Sequence, residues 1–511
     1  MSSDRSAAGG DSREVAELEG LGYKQALRRT MGLVQSTMVN ISISSVTTAV
    51  FTLFAFGLFT GGTAFVWTWA IGFFILLLVT LCFAELGSSM PIAGALYQWS
   101  SRLVGPRYGY VVGWLYVASQ TAITAAVAFG IAPFVSSLFG WTLNSDDQAL
   151  VAAGIVLAST LINLAGVWLA AAVGTVGAVS EVVGMLVITV VLIITGITNQ
   201  SPTVLFHSGG GLPPGSEFLP IALATMLFGS WAYTGLEMTT DMAEETHDAS
   251  KVIPKAAVTS LVTTFVVGMV FLIVAVLAIP DLPAVFASEN PLQYIIEGNT
   301  SEAFYKITLV VVVIAVFVSA ATNQTLTARA LFSLSRDGKF PASGQLMKVP
   351  KSTRVPSTSI ILIGVLAAAL LLFTNAIGVI AAACLTGLFG CYMLVVWGQL
   401  WARLRGRWQP SHWSMGRWSL PVNVLAAILG TALTINIAWP RGDLIWYERW
   451  SGWVFVGGVL LCAGTYYVLA GGERRRVIDA ELPAGHSGVV DDDAKGAQEI
   501  EDPLAPQESN P

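Results

Sequence analysis

Apolar residues in this chain run in blocks of about 20 or more, the length a helix needs to cross the hydrocarbon core of a bilayer. Short polar or charged segments separate the blocks. Twelve runs can be placed, at about 31–59, 64–90, 108–137, 149–170, 174–198, 217–240, 256–280, 303–333, 357–375, 377–401, 419–440 and 450–470. Numbered as spans one to twelve, they predict an all-α, polytopic membrane protein with twelve transmembrane helices.

Polar residues inside these runs are the informative ones. Span six carries Gly229, Ser230, Gly235 and Glu237 at membrane depth and ends in an acidic amphipathic run towards Ala257. A carboxylate and two glycines there are costly unless they face a cavity or a partner, and an interrupted helix of this kind points to a transporter's binding site. Span one has a cluster at mid-depth: Ser42, Ser44, Ser45, Thr47 and Thr48. Such hydroxyls can bond back to their own helix, so the cluster fits a continuous helix as well as a break. Its position favours a break: if spans one to five and six to ten are inverted copies, spans one and six correspond, and both are interrupted.

Span five places Gly177, Glu181 and Gly184 on one helix face. The small residues let that face meet a neighbouring helix, so Glu181 is either a proton-carrying group or a hydrogen-bonded structural acid. Ser319, Thr322 and Asn323 share a face of span eight and suit either a coupling-ion site or bonding between helices. Gly105, Gly109 and Gly113 open span three with a ladder suited to close packing. Glu85, near the inner end of span two, reads as a paired structural carboxylate. Spans eleven and twelve are almost wholly apolar and read as a peripheral pair.

Composition narrows the function classes. Only 11% of residues are charged and 54% are hydrophobic, against about 25% charged in soluble proteins. Much of the acidic excess sits in the tail from Gly472 to Pro511, and no basic patch suggests a nucleic-acid partner. With both termini inside, all Lys and Arg except Lys306, Arg441 and Arg449 lie on the cytoplasmic side, as the positive-inside rule requires. Trp439, Trp446, Trp450 and Trp453 form an aromatic belt at the opposite end. The four cysteines (Cys82, Cys384, Cys391 and Cys462) lack metal-ligand spacing, and nothing calls for a metal or a cofactor. There is no His-Glu-x-x-His zinc motif and no phosphate-binding loop. His207, His247, His412 and His486 all fall outside the apolar runs. An intramembrane enzyme is therefore a poor reading.

Four stretches resemble the amino acid–polyamine–organocation superfamily, and within it the amino acid/choline transporter branch that includes GABA and choline permeases. They are FAELGSSMPIAGALYQW from Phe83, the run from Phe228 to Pro254, RALFSLSRDGKFP from Arg329, and MGRWSLPVN from Met415. The resemblance implies a LeuT-like core of two inverted five-helix repeats, residues 31–198 and 217–401, with discontinuous first and sixth helices. Around that core it leaves a tail over 1–30, helices eleven and twelve over 402–471, and an acidic, disordered cytoplasmic tail over 472–511. In relatives the substrate carboxylate meets the amides of broken span one and its amine meets freed carbonyls, in keeping with the charge preferences of helix ends.

By likeness, Val46, Thr47, Thr48 and Ala49 occupy the span-one break, where relatives show Gly-Ser-Gly and this chain has no glycine. Trp231 covers the substrate, Ala232, Tyr233, Thr234 and Gly235 line the unwound part of span six, and Glu237 follows it. Glu181 falls where some proton-driven relatives carry a lysine; with Ser319 and Asn323 it makes the candidate coupling site. The expected activity is import of an amino acid across the cytoplasmic membrane by alternating access, coupled to protons or to sodium. An amine carrier for GABA, choline or a polyamine, an exchanger, and a non-transporting nutrient receptor are the alternatives.

Overall fold

The computed structural model describes residues 31–206, 218–350, 355–372, 377–441 and 445–479. Among them the chain is helical throughout and makes twelve crossings. Spans two to five are Val66–Ser89, Pro106–Phe139, Ser145–Leu164 and Val167–Gly196. Spans seven to twelve are Ala249–Leu277, Glu302–Arg336, Ser357–Leu370, Ile377–Leu404, Ser419–Ala438 and Ser451–Leu469. The N-terminal tail and most of the acidic tail lie outside the described residues; Gly472–Asp479, at the start of the latter, is a short helix.

Spans one and six are each in two pieces. Span one is Leu33–Ser44 and Val46–Gly61, separated by Ser45 at φ −6° and ψ 101°. The break therefore falls one residue earlier than the likeness places it, and Val46, Thr47, Thr48 and Ala49 form the first turn of the second half. The cause is capping. The Thr48 N–H and hydroxyl both donate to Ser45 Oγ, at 3.1 and 2.7 Å, so the serine supplies the acceptor that a helix N-terminus lacks. Span six runs as a helix over Phe218–Trp231, unwinds through Ala232–Glu237, and resumes as the single turn Met238–Asp241. Gly235, at φ +81°, holds the left-handed conformation that a side chain resists.

The two broken spans and their neighbours are bound closely together. A Cβ on Gly72 of span two would stand 2.0 Å from the Gly229 carbonyl oxygen, and one on Gly229 would stand 2.3 Å from the Thr68 carbonyl oxygen. The backbones of spans two and six thus touch without side chains between them. Asn40 of span one bonds Ser260 of span seven. Span seven starts earlier than its apolar run, with Pro254 inside its first turns. Proline leaves the carbonyl four residues back without a donor, and Ser88 Oγ donates to that Ser250 oxygen at 2.7 Å.

Span two ends in the segment Met90–Gly94 and the short helix Ala95–Leu103 before span three. Glu85 is fully buried there. It pairs with Arg403 of span ten at 2.5 Å and accepts the Met415 N–H at 3.0 Å and the Ser419 hydroxyl at 2.5 Å. Spans eleven and twelve pack on span ten, span eleven reaching span two as well and span twelve span three. Cys462, in span twelve, is exposed rather than core.

Removing one partner of a buried ion pair strands the other charge, at a cost of about 3–5 kcal/mol. Glu85→Ala should lower the thermal unfolding midpoint of the detergent-solubilised protein clearly. The apolar pair Glu85→Leu with Arg403→Met should recover most of that loss; the fluorescence melting curve of each variant checks both.

Candidate substrate site

The helix breaks meet at the centre of the fold. Ser44 Oγ, at the end of the first half of span one, donates to the freed Thr234 carbonyl of span six at 3.1 Å. Beside this contact lies a small cavity. Ser44, Ser45 and Thr48 border it from span one and Trp231, Thr234, Gly235 and Met238 from span six. Gln120 of span three and Ser319 and Asn323 of span eight close it. It has room for roughly one water molecule, so an amino acid enters only when the lining moves apart.

The freed peptide groups of span six are satisfied by one side chain from span ten. The Tyr392 hydroxyl accepts the Gly235 N–H at 2.9 Å and the Leu236 N–H at 3.4 Å, and donates to Glu237 Oε2 at 2.6 Å. Glu237 Oε1 accepts the Tyr116 hydroxyl at 2.7 Å and Gln120 Nε2 at 3.1 Å. Tyr116 also stands 3.0 Å from Asp241 Oδ2. The other Asp241 oxygen accepts the Gly94 and Ala95 amides at 3.0 and 2.9 Å, at the start of the short helix after span two. A continuous hydrogen-bonded path therefore runs from the unwound part of span six to the segment after span two.

Of the residues singled out in the sequence, Thr48, Trp231, Thr234, Gly235, Ser319 and Asn323 border the cavity. Asn323 is held by donating to the Gln120 carbonyl at 2.9 Å and Thr124 Oγ1 at 2.8 Å. Glu237 lies behind the unwound segment, spent on Tyr392, Tyr116 and Gln120. Tyr233 turns away: its hydroxyl bonds the Trp69 carbonyl at 3.1 Å and its ring packs on Trp69. Ala232 is buried, as are Val46 and Ala49, and none of the three borders the cavity. Glu181 also stands off the cavity, with its carboxylate on the Thr47 N–H at 3.2 Å. Ser44 and Ser45, known in the sequence only as part of the polar cluster of span one, also belong to the site, as do Tyr116, Gln120, Asp241 and Tyr392, to which sequence reasoning assigns no role. The polar run Ser119–Thr121 inside an apolar span is the one local signal for Gln120.

Known proteins share this architecture and sequence. A manganese transporter from Eremococcus coleocola superposes with a TM-score of 0.55 at 13% identity, over 89% of this chain and 98% of that one; at that identity the likeness is one of fold. The amino-acid permease BAT1 of Arabidopsis thaliana is 27% identical over 68% of this chain and 73% of its own length. Its homologue from Oryza sativa subsp. japonica is 25% identical over 91% of this chain and 96% of its own. The amino acid permease family profile matches residues 28–461, so this twelve-span chain with two facing helix breaks belongs to the amino acid permease family of secondary transporters.

Proposed function

We propose that the protein imports an amino acid across the cytoplasmic membrane by alternating access, in symport with protons, with both termini in the cytoplasm. The observation that carries this reading is the meeting of two broken helices, joined by Ser44 and Thr234, around a closed central cavity. Half-helix ends and freed peptide groups can hold both charges of an amino acid at mid-membrane without a dedicated ion pair. In this reading the ten-helix core over 31–401 does the transport, spans eleven and twelve over 402–471 brace it, and the tail from 472 is dispensable.

Proton coupling is supported by counting hydrogens. A phenol carries one hydrogen, whereas Tyr116 stands within bonding distance of a carboxylate oxygen of both Glu237 and Asp241. Making both contacts requires a proton on one of the two acids. Among the described residues no charged side chain borders the cavity, and Glu237 and Asp241 have no Lys, Arg or His among their hydrogen-bond partners. Orientation follows the distribution of Lys and Arg: Arg329, Arg336, Arg403, Arg405 and Arg407 flank one face of the fold and only Lys306, Arg441 and Arg449 the other.

Proteoliposomes should accumulate a radiolabelled amino acid when the outer solution is made acidic, and an inward sodium gradient at equal pH should add nothing. A panel spanning small, branched, aromatic, acidic and basic amino acids, with γ-aminobutyrate, choline and putrescine as competitors, identifies the substrate; a panel without uptake refutes the reading. Trp231→Ala should cut uptake at least tenfold at unchanged membrane insertion, by opening the cavity that its ring closes. Tyr392→Phe leaves the Gly235 amide and Glu237 without their shared partner, and should depress uptake by a similar factor, measured as the initial rate.

A further inference from the structure

The anion-binding end of broken span one is already occupied. The second half of span one is a 16-residue helix starting at Val46, and its N-terminus carries the partial positive charge and free N–H groups that suit a carboxylate. Glu181 of span five reaches it: Oε1 accepts the Thr47 N–H at 3.2 Å. The same turn forms the cavity wall through Ser45 and Thr48. Thr47, only 2% exposed, has a hydroxyl with no partner, so this turn keeps an unfilled hydrogen-bonding position beside the occupied amide.

Packing holds Glu181 in register. A Cβ on Gly177 would lie 2.3 Å from Val318, and one on Gly184 2.5 Å from Val311. Span five is therefore pressed on span eight above and below the glutamate, which points its side chain at span one. No other charge competes for it. Residues 33–61 of span one contain no titratable group. Spans seven and eight carry theirs at their ends, Lys251 and Lys255 on the one and Glu302, Tyr305, Lys306, Arg329 and Arg336 on the other. Span four has Asp146 and Asp147 in its first turn, and the short helix Pro291–Asn299 has Tyr294 and Glu297.

We propose that Glu181 is a tethered stand-in for the carboxylate of the substrate: an amino acid loads by displacing it from the span-one amide, and the displaced Glu181 takes up a proton. The inference rests on the amino acid reading above and adds how the substrate is admitted. Two ionised carboxylates cannot share one helix end inside a membrane protein, because their repulsion is poorly screened there. A carboxylate that has lost its donors is equally unfavourable. The proton comes from water on the side where the substrate enters and sits on a Glu181 oxygen while the substrate is bound. It leaves when the substrate departs and Glu181 returns to Thr47. An amine without a carboxylate has no claim on this amide and leaves Glu181 where it is.

The test uses purified full-length protein and matched pairs of ligands: L-alanine with ethylamine, L-leucine with isoamylamine, γ-aminobutyrate with propylamine, and L-ornithine with putrescine. Over about pH 5.5 to 7.5 the ligands keep nearly constant charge, and the small titration of each free amine is measured separately and subtracted. Wild-type affinity for the bound amino acid should weaken with rising pH, approaching about tenfold per unit, because one proton is taken up with each substrate. The amine partner should show no such slope. Glu181→Gln should bind the amino acid independently of pH, while Glu181→Asp, which keeps the charge, should keep the slope. Should the glutamine variant not fold, proton uptake by the wild type in weak buffer decides: about one per amino acid bound, none per amine. An amino acid that binds with equal slope in wild type and Glu181→Gln, or with no slope in the wild type, overturns this inference and leaves the transport reading standing. Binding of amines alone, or of no ligand in the panel, overturns both.

Discussion

A peptide group released from a helix inside a membrane has no water to turn to, and that constraint organises the centre of this protein. Two helices are broken there, and their freed groups are met by particular side chains. Ser45 caps the second half of span one. Ser44 closes on the Thr234 carbonyl. Tyr392 takes the Gly235 and Leu236 amides, and Glu181 takes the Thr47 amide. These partners come from spans one, five and ten, so the unwound segments can exist only when those spans are assembled around them. What stays unfilled is small, a cavity with room for roughly one water. The peptide groups freed by the two breaks are thus largely spoken for by partners the protein itself supplies.

Most of the architecture was legible in the sequence because it follows from local quantities. Span number and order follow from the lengths of apolar runs. The span-six break follows from Gly235 and Glu237, since an unbroken apolar helix facing lipid would carry the carboxylate only at a high cost. The face of span five was legible too, since Gly177 and Gly184 flank Glu181 and meet Val318 and Val311 of span eight. The likeness places the span-one break a residue late, because the helix resumes directly after Ser45. The Ser45 hydroxyl caps the next helix, so the backbone can turn without a missing side chain.

The polar lattice behind the cavity was not legible. Tyr116 and Tyr392 are two hydroxyls among several in largely apolar spans, and no periodicity says that both will face Glu237. Asp241 reads as the start of an acidic amphipathic run, yet the fold tucks it against the Gly94 and Ala95 amides. Residues from spans three, six and ten and from the short helix after span two meet there, and sequence separation hides such meetings. Tyr233 shows the converse: adjacent to Trp231 and Thr234, it points the other way, into Trp69.

The kinds of contact also differ with the elements they join. Within the group of spans one, two, six and seven the bonds are uncharged or simply close: Asn40 with Ser260, Ser44 with Thr234, Tyr233 with Trp69, and the backbone approach at Gly72 and Gly229. Contacts from that group to the remaining spans centre on carboxylates. Glu181 reaches span one, Glu237 binds Tyr116, Gln120 and Tyr392, and Glu85 pairs with Arg403. Glu245, just beyond span six, pairs with Arg329 of span eight at 2.9 Å. A group joined by such close contacts can move as one body with little internal cost, whereas the carboxylate contacts lie at its boundary. Alternating access by rocking of this group against the rest would break and remake those boundary bonds and spare the internal ones. The acids thus sit where the two bodies meet, and any motion between them is felt first at these carboxylate contacts.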